Sequence, residues 1–127
     1  MGKKKRLKLI SWNVNGLRAV LKKDFFDSVA VMDPDILMLQ ETKLQEGQRS
    51  DPMVRFGDYE SFWNYSTVKK GYSGVVSYTR ITPDAVTTQL GKPEYDGEGR
   101  IIRMDFETFV LFNIYFPNGK ASEERLA

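Results

Sequence analysis

Glu41 and Asn13 each stand at the polar end of an apolar run. A carboxylate and an amide oxygen are hard donors, the kind that hold Mg²⁺ or Mn²⁺ while the ion keeps several of its waters. Read from its neighbours alone, Glu41 has a second interpretation, the first solvated residue after a core strand. The chain has no histidine, which removes the commonest general base and the commonest zinc ligand. It has no cysteine either, hence no thiolate metal site and no disulfide framework.

The elements that must position these groups are legible around them. Pro34 delivers the chain extended into Asp35, and the unbroken apolar run Ile36 to Leu39 reads as a strand buried on both faces. Leu7 to Gly16 reads as another strand with a polar end. Between the two lies a helical stretch in two pieces. Leu17, Val20 and Leu21 share one face of the first, with Arg18, Lys22 and Lys23 on the other. The second has Asp24 as a side-chain cap, Asp27 three residues on, and Phe25, Val29 and Met32 at helical spacing. Asp33-Pro34 ends it. Two strands joined by such a segment pair in parallel with their carboxyl ends on one edge. Asn13 and Glu41 then lie side by side at the rim where α/β folds place their sites.

Further along, residues 45–52 read as a polar surface loop and 59–65 as an aromatic-rich strand. Lys69 to Gly74 is a glycine-flanked loop holding Tyr72, and Val75 to Thr79 a strand. Residues 91–99 form a loop leading to Arg100. Arg100 to Phe106 alternates, and Phe109 to Phe116 reads as a buried strand, the two joined as a hairpin through Glu107-Thr108. Pro117-Asn118-Gly119 breaks that strand, and Ser122 caps the first turn of a helix. Three strands therefore end in polar clusters, at Asn13 and Asn15, at Glu41, and at Tyr115 to Asn118.

The 127 residues suit one domain, and 41% hydrophobic with 28% charged residues is a globular composition. Five of the 19 Lys and Arg lie among the first eight residues; the other 14 face 17 Asp and Glu, so the body carries −3 against a whole-chain +2. Residues 1–6 read as a basic, solvated tail, and any nucleic-acid contact must come from a local patch. No apolar run approaches the length of a membrane span, so no membrane partner is expected. With no cysteine and no signal-peptide pattern, a cytoplasmic location is expected, nucleoid-associated in a prokaryote.

Five motifs occur in order: Ser-Trp-Asn-Val-Asn-Gly-Leu-Arg-Ala at 11–19, Leu-Gln-Glu-Thr-Lys at 39–43, Gly-Tyr-Ser-Gly at 71–74, Glu-Gly-Arg at 98–100, and Asn-Ile-Tyr-Phe-Pro-Asn-Gly at 113–119. Together they resemble the exonuclease III type of apurinic/apyrimidinic endonuclease, in the endonuclease–exonuclease–phosphatase superfamily, from about Leu7 to the last residue. The resemblance implies Mg²⁺-dependent hydrolysis of a DNA phosphodiester on the 5′ side of an abasic site, often with 3′-end trimming. It implies Glu41 as the metal carboxylate with Asn13 beside the metal. Tyr115 matches the family's catalytic tyrosine, and Asn118 a phosphate-contacting asparagine. Arg18 and Arg100 match backbone-phosphate contacts, which position a duplex without reading sequence. Tyr72 matches an aromatic that enters the minor groove near the lesion. From the residues alone, Arg100 can instead begin a strand paired with Glu98, and Tyr72 can pack under its own loop.

The family's Gly-Asp-Phe-Asn-like motif, a later aspartate and a terminal Ser-Asp-His are absent from the chain. The chain therefore reads as the N-terminal half of a four-layer α/β sandwich, two mixed sheets flanked by helices, with residues 7–127 belonging to that half and each half supplying largely one sheet. Such a half is expected to be inactive alone and to bare an apolar sheet face. That face would be covered by the missing C-terminal half or by self-association. A non-catalytic DNA-binding or complementing module is the alternative reading.

Overall fold

The computed structural model describes residues 6–67, 71–89, 91 and 97–116. Strand β1 (Leu9–Asn13) is followed by helices α1 (Leu17–Leu21) and α2 (Phe25–Met32) and by β2 (Ile36–Gln40). A 3₁₀ turn (Glu46–Gln48) and the short helix α3 (Asp51–Val54) precede β3 (Glu60–Asn64), β4 (Val75–Thr79), β5 (Ala85–Thr87), β6 (Ile101–Asp105) and β7 (Val110–Ile114). The strands form two sheets, a four-stranded one in the order β1-β2-β4-β3 and a three-stranded one in the order β5-β6-β7. β1 and β2 pair in parallel, with Asn13 opposite Gln40; the remaining pairs are antiparallel.

The two-residue period of β2 sorts its side chains into two cores. Leu37 and Leu39 join Leu17, Phe25, Val29, Val76 and Tyr78 on the helix side, whereas Ile36 and Met38 face Val75, Ile102, Met104 and Phe106 between the sheets. All five residues of β2 are buried, as its apolar run foretold. A fully buried Leu or Ile contributes about 1.5–3 kcal/mol, and β4 is buried throughout as well, so the two central strands anchor both cores. The sheet-to-sheet layer also carries polar groups. Asn113 donates through Nδ2 to Val76 O (2.9 Å), Leu39 O (3.3 Å) and Ser77 Oγ (3.1 Å), and Gln40 Nε2 donates to Asn113 Oδ1 (2.9 Å) and Ser11 Oγ (3.0 Å). A buried network of this kind ties β7 to β2 and β4 in one register.

Several expectations are corrected. The chain supplies strands to both sheets rather than one, so the part of the inner face formed by β2 and β4 is covered by its own residues. The exposed apolar surface lies elsewhere. β7 is half-exposed rather than buried, because Leu111 and Asn113 point inward while Val110 (45% exposed) and Phe112 (44%) lie on an outer face that no described helix covers. β1 exposes Leu9 (43%), Ser11 and Asn13 on its inner face, since β7 packs over β2 and β4. Residues 45–52 contain helical turns rather than plain loop; Pro52 starts a helix well in its first turn, and Met53 inserts into the core. Asp24 stands at the N-cap of α2 but makes no side-chain cap bond. Its φ of −96° and ψ of 31° continue the turn out of α1 instead of adopting the extended geometry that aims a cap. Asp33 closes α2 in the left-handed conformation, a C-cap whose N–H donates to Val29 O. The hairpin through Glu107-Thr108 is present, with Phe106 N donating to Phe109 O (2.8 Å) and the two rings stacked at 4.7 Å. The basic tail falls on residues outside the described ones except for the exposed Arg6.

Candidate active site

The five sequence motifs become five neighbouring segments, stitched sideways by backbone hydrogen bonds. Val14 N donates to Gln40 O (3.1 Å), Gly16 N to Glu41 O (2.7 Å) and Leu17 N to Thr42 O (3.0 Å). Thr42 N then donates to Gly74 O (3.0 Å), Lys43 N to Ser73 O (2.9 Å), Gly74 N to Gly99 O (3.0 Å) and Tyr115 N to Arg100 O (2.8 Å). This row lies along one end of the sandwich, where β1 and β2 finish. Of the five non-glycine residues with positive φ among the described residues, four sit in it: Asn15 (50°), Glu41 (60°), Lys43 (57°) and Ser73 (56°). Left-handed backbone at non-glycine residues costs on the order of 1 kcal/mol or more each and clusters at functional sites.

Glu41 is mostly buried, its side chain 18% exposed. Lys43 Nζ lies 3.5 Å from Glu41 Oε2 and donates to Asn15 Oδ1 at 2.7 Å. Asn15 N donates to Asn13 Oδ1 at 3.0 Å. Asn13, Asn15, Glu41 and Lys43 thus form one constellation. Tyr115, buried at the end of β7, faces it from the other sheet. Burial raises the Tyr115 phenol above its ordinary range, helped by the charge of Glu41, by a hydrogen bond to that carboxylate and by Tyr72, while Arg100 pulls it down. The phenol therefore stays protonated at neutral pH and is a donor beside a carboxylate.

A second group adjoins it. Arg100 Nη2 donates to Glu98 Oε1 (2.7 Å) and to the Tyr72 hydroxyl (2.5 Å), which itself donates to Glu98 Oε1 (3.3 Å). Of the two readings open for Arg100, the geometry contains the Glu98 pair; Tyr72 is tied to its neighbours rather than projecting freely. Arg18 is exposed on α1, beside the Asn13 to Gly16 turn. Asn118 lies outside the described residues.

The donor chemistry fits a hydrated divalent ion: one carboxylate and two amide oxygens, from Glu41, Asn13 and Asn15. Among the described residues no group of three or more His, Cys, Asp or Glu gathers for a metal, so water or other donors must fill the remaining positions. Asn15, Lys43 and Glu98 were not assigned to the site from the sequence, although Asn15 stood in the first polar cluster and Glu98 as a possible partner of Arg100. The signal was available for Lys43, two residues from Glu41 and the nearest cation to it in sequence. A cavity of about 590 Å³ opens between Leu7, Arg80, Ile81, Phe106 and Phe109, but none of the five motifs lines it.

The sequence profile of the Endonuclease/Exonuclease/phosphatase family matches residues 10–126. The chain belongs to this family. It is 46% identical over 121 residues to an exodeoxyribonuclease of Bacillus subtilis (strain 168), covering 94% of this chain and 46% of the relative. It is 42% identical over 126 residues to the DNA repair nuclease APEX1 of Danio rerio, covering 98% and 41%. Among solved structures, the catalytic domain of Xenopus laevis APE2 superposes with a TM-score of 0.75 at 27% identity, covering 94% of this chain and 49% of that one. An AP endonuclease from Archaeoglobus fulgidus gives 0.75 at 27% identity, covering 90% and 42%. The chain spans less than half the length of these relatives.

Proposed function

We propose that the chain supplies one part of the active site of a DNA-repair phosphodiesterase, an apurinic/apyrimidinic endonuclease that also removes nucleotides from 3′ ends. The observation that carries this reading is the Tyr115 phenol held protonated against Glu41, with Asn13, Asn15 and Lys43 on the same edge. Glu41, with Asn13, would hold Mg²⁺ or Mn²⁺. A divalent ion there would neutralise charge on the phosphoryl oxygens and stabilise the leaving oxygen. Tyr115 donates its hydroxyl proton in a hydrogen bond to a non-bridging oxygen of the scissile phosphate, where negative charge accumulates. Arg18, Arg100 and Asn118 contact the backbone of duplex DNA, and Tyr72 meets the minor groove near the abasic sugar.

The same inventory limits what the chain does alone. Hydrolysis needs an attacking water activated in line with the leaving oxygen, and in this reading Glu41 serves the metal instead. The chain contains no histidine to serve instead. We therefore expect no useful cleavage by the 127 residues in isolation. The alternative, a non-catalytic DNA-binding or complementing half-domain, is favoured by one observation, the uncovered inner face of β1 and outer face of β7. Either a complementing chain or a second copy would cover them. An abasic-site duplex assayed with Mg²⁺, first with this chain alone and then with the C-terminal remainder of the Bacillus subtilis relative added as a separate chain, separates the readings. Cleavage appearing only in the mixture supports the enzyme reading. Binding without cleavage in the mixture supports the module, and efficient cleavage by the isolated chain contradicts the division of labour.

A further inference from the structure

The Arg100 guanidinium is held in an unusual way. Both of its hydrogen bonds leave from one nitrogen, Nη2, to Glu98 Oε1 and to the Tyr72 hydroxyl. Its Nε is buried with no hydrogen-bond partner. The guanidinium carbon lies 5.8 Å from the Tyr72 ring centroid. An arginine presents a planar fork of five donors, and its strong partners are oxyanions that take two of them side by side. Glu98 satisfies only one edge of that fork, through one oxygen. The pair is largely shielded, with side chains 21% and 24% exposed, so the carboxylate neutralises the arginine effectively. The loop that carries both is pinned, because Gly99 O accepts from Gly74 N and from Ser73 Oγ (2.9 Å).

We propose that Glu98 is an internal competitor for the phosphate that Arg100 binds. In the free protein the carboxylate occupies Arg100 in a one-point contact, and a docking backbone phosphate replaces it with a two-point contact. This inference rests on the DNA reading above and adds a specificity element to it. A duplex that brings a phosphate close to Arg100 gains the full pair, whereas a duplex that fails to do so meets a charge-neutral Glu98–Arg100 pair. Glu98 thereby lowers affinity for DNA that does not fit.

The test is a double-mutant cycle on this chain with Glu98→Gln, Arg100→Met and the double variant, each checked for native circular dichroism. Binding to an undamaged duplex is measured in EDTA between 50 and 200 mM salt. Glutamine keeps an acceptor for Tyr72 and Arg100 but drops the charge. On this non-fitting duplex the wild type keeps Arg100 on Glu98, so freeing that cation for a phosphate should steepen the slope of log affinity against log salt by about 0.9. Across that salt range the variant's affinity should then change roughly 3.5-fold more than the wild type's. The gain should vanish when Arg100 is Met, because it acts through Arg100. Glu98→Ala, which removes the acceptor entirely, should show the same steepening. A gain that survives in the Arg100→Met background would reduce Glu98 to long-range repulsion and overturn the proposal. A slope left unchanged, or weaker binding in Glu98→Gln, would overturn it in favour of a plain structural clamp. No salt-dependent duplex binding by any of the proteins would instead sink the DNA reading, and the competitor role with it.

Discussion

Gly99 and Gly71 offer a controlled measurement of how tightly the site loops are packed, because both have φ of +64°. At Gly71 a Cβ would meet nothing within 4 Å. Gly71→Ala should therefore cost only the left-handed conformation, about 1–2 kcal/mol. At Gly99 a Cβ would run into the backbone of Tyr65 and Ser66, including the Tyr65 carbonyl oxygen at 2.7 Å. These are backbone atoms, and the neighbouring strand cannot yield as a flexible side-chain end would: Thr67 N is bonded to Gly97 O (2.7 Å), and Asn64 Nδ2 to Ile101 O (2.8 Å). Crowding of this kind adds roughly 1–3 kcal/mol, for a total of about 2–5 kcal/mol. Alanine also restricts the unfolded chain, an effect of about 0.4–1 kcal/mol that is common to both variants and cancels between them. Urea unfolding followed by tryptophan fluorescence reads the difference, and the m-values test whether both variants unfold from the same compact state. Gly99→Ala should be the less stable variant by about 1–3 kcal/mol. Equal destabilisation would mean that the loop carrying Glu98 and Arg100 is not held against β3, and the geometry argued for those residues would fail with it.

Other outcomes follow from the same arrangement. Arg18→Ala should reduce the salt slope of duplex binding by about one unit, since the side chain is exposed and carries its full charge; an unchanged slope would make it structural. In the complemented enzyme, Tyr115→Phe should lower kcat far more than it raises the duplex Kd, the pattern of a contact made mainly in the transition state. A Kd change that accounts for the whole loss would contradict that role. Burial raises the phenols of Tyr78 and Tyr59, and that of Tyr115 is raised as well, so the folded state holds these protons more tightly than the unfolded chain does. Their contribution to stability is complete below about pH 10, the ordinary tyrosine value, and is lost as the pH rises beyond it. Alkaline melts should show that fall, and Tyr78→Phe should flatten it.

The strands nearest the site were legible because their signals are local. Ile36 to Leu39 is apolar without interruption, Val75 to Thr79 is β-branched and aromatic, and Pro34 marks the entry to β2. The parallel pairing of β1 with β2 followed from the helical connection, and with it the side-by-side placement of Asn13 and Glu41. The distribution of strands between two sheets was not legible, because pairing and layering depend on contacts distant in sequence. Gln40 and Asn113, 73 residues apart, meet between the sheets, and neither announces the other. β5 is three residues long, pairs with β6 and packs Val86 against the inter-sheet core, too short for any periodicity to register. The outward face of β7 looked like core because Val110 and Phe112 are as apolar as buried residues; their exposure depends on what else packs there. The partner of Arg100 was visible two positions away in Glu98, but charge spacing in a loop does not fix which way either side chain turns.

We propose that the edge carrying Glu41 is where a divalent cation meets this chain. Mn²⁺ titrated into the ¹⁵N-labelled protein tests it directly, since the ion broadens only the resonances of nearby amides. Broadening should centre on residues 13–16 and 41–43 and reach Tyr115, and it should disappear in Glu41→Gln while the rest of the spectrum is unchanged. Broadening centred on the acidic groups near Arg80, at Asp33, Asp58 and Asp84, and indifferent to Glu41→Gln, would contradict the account.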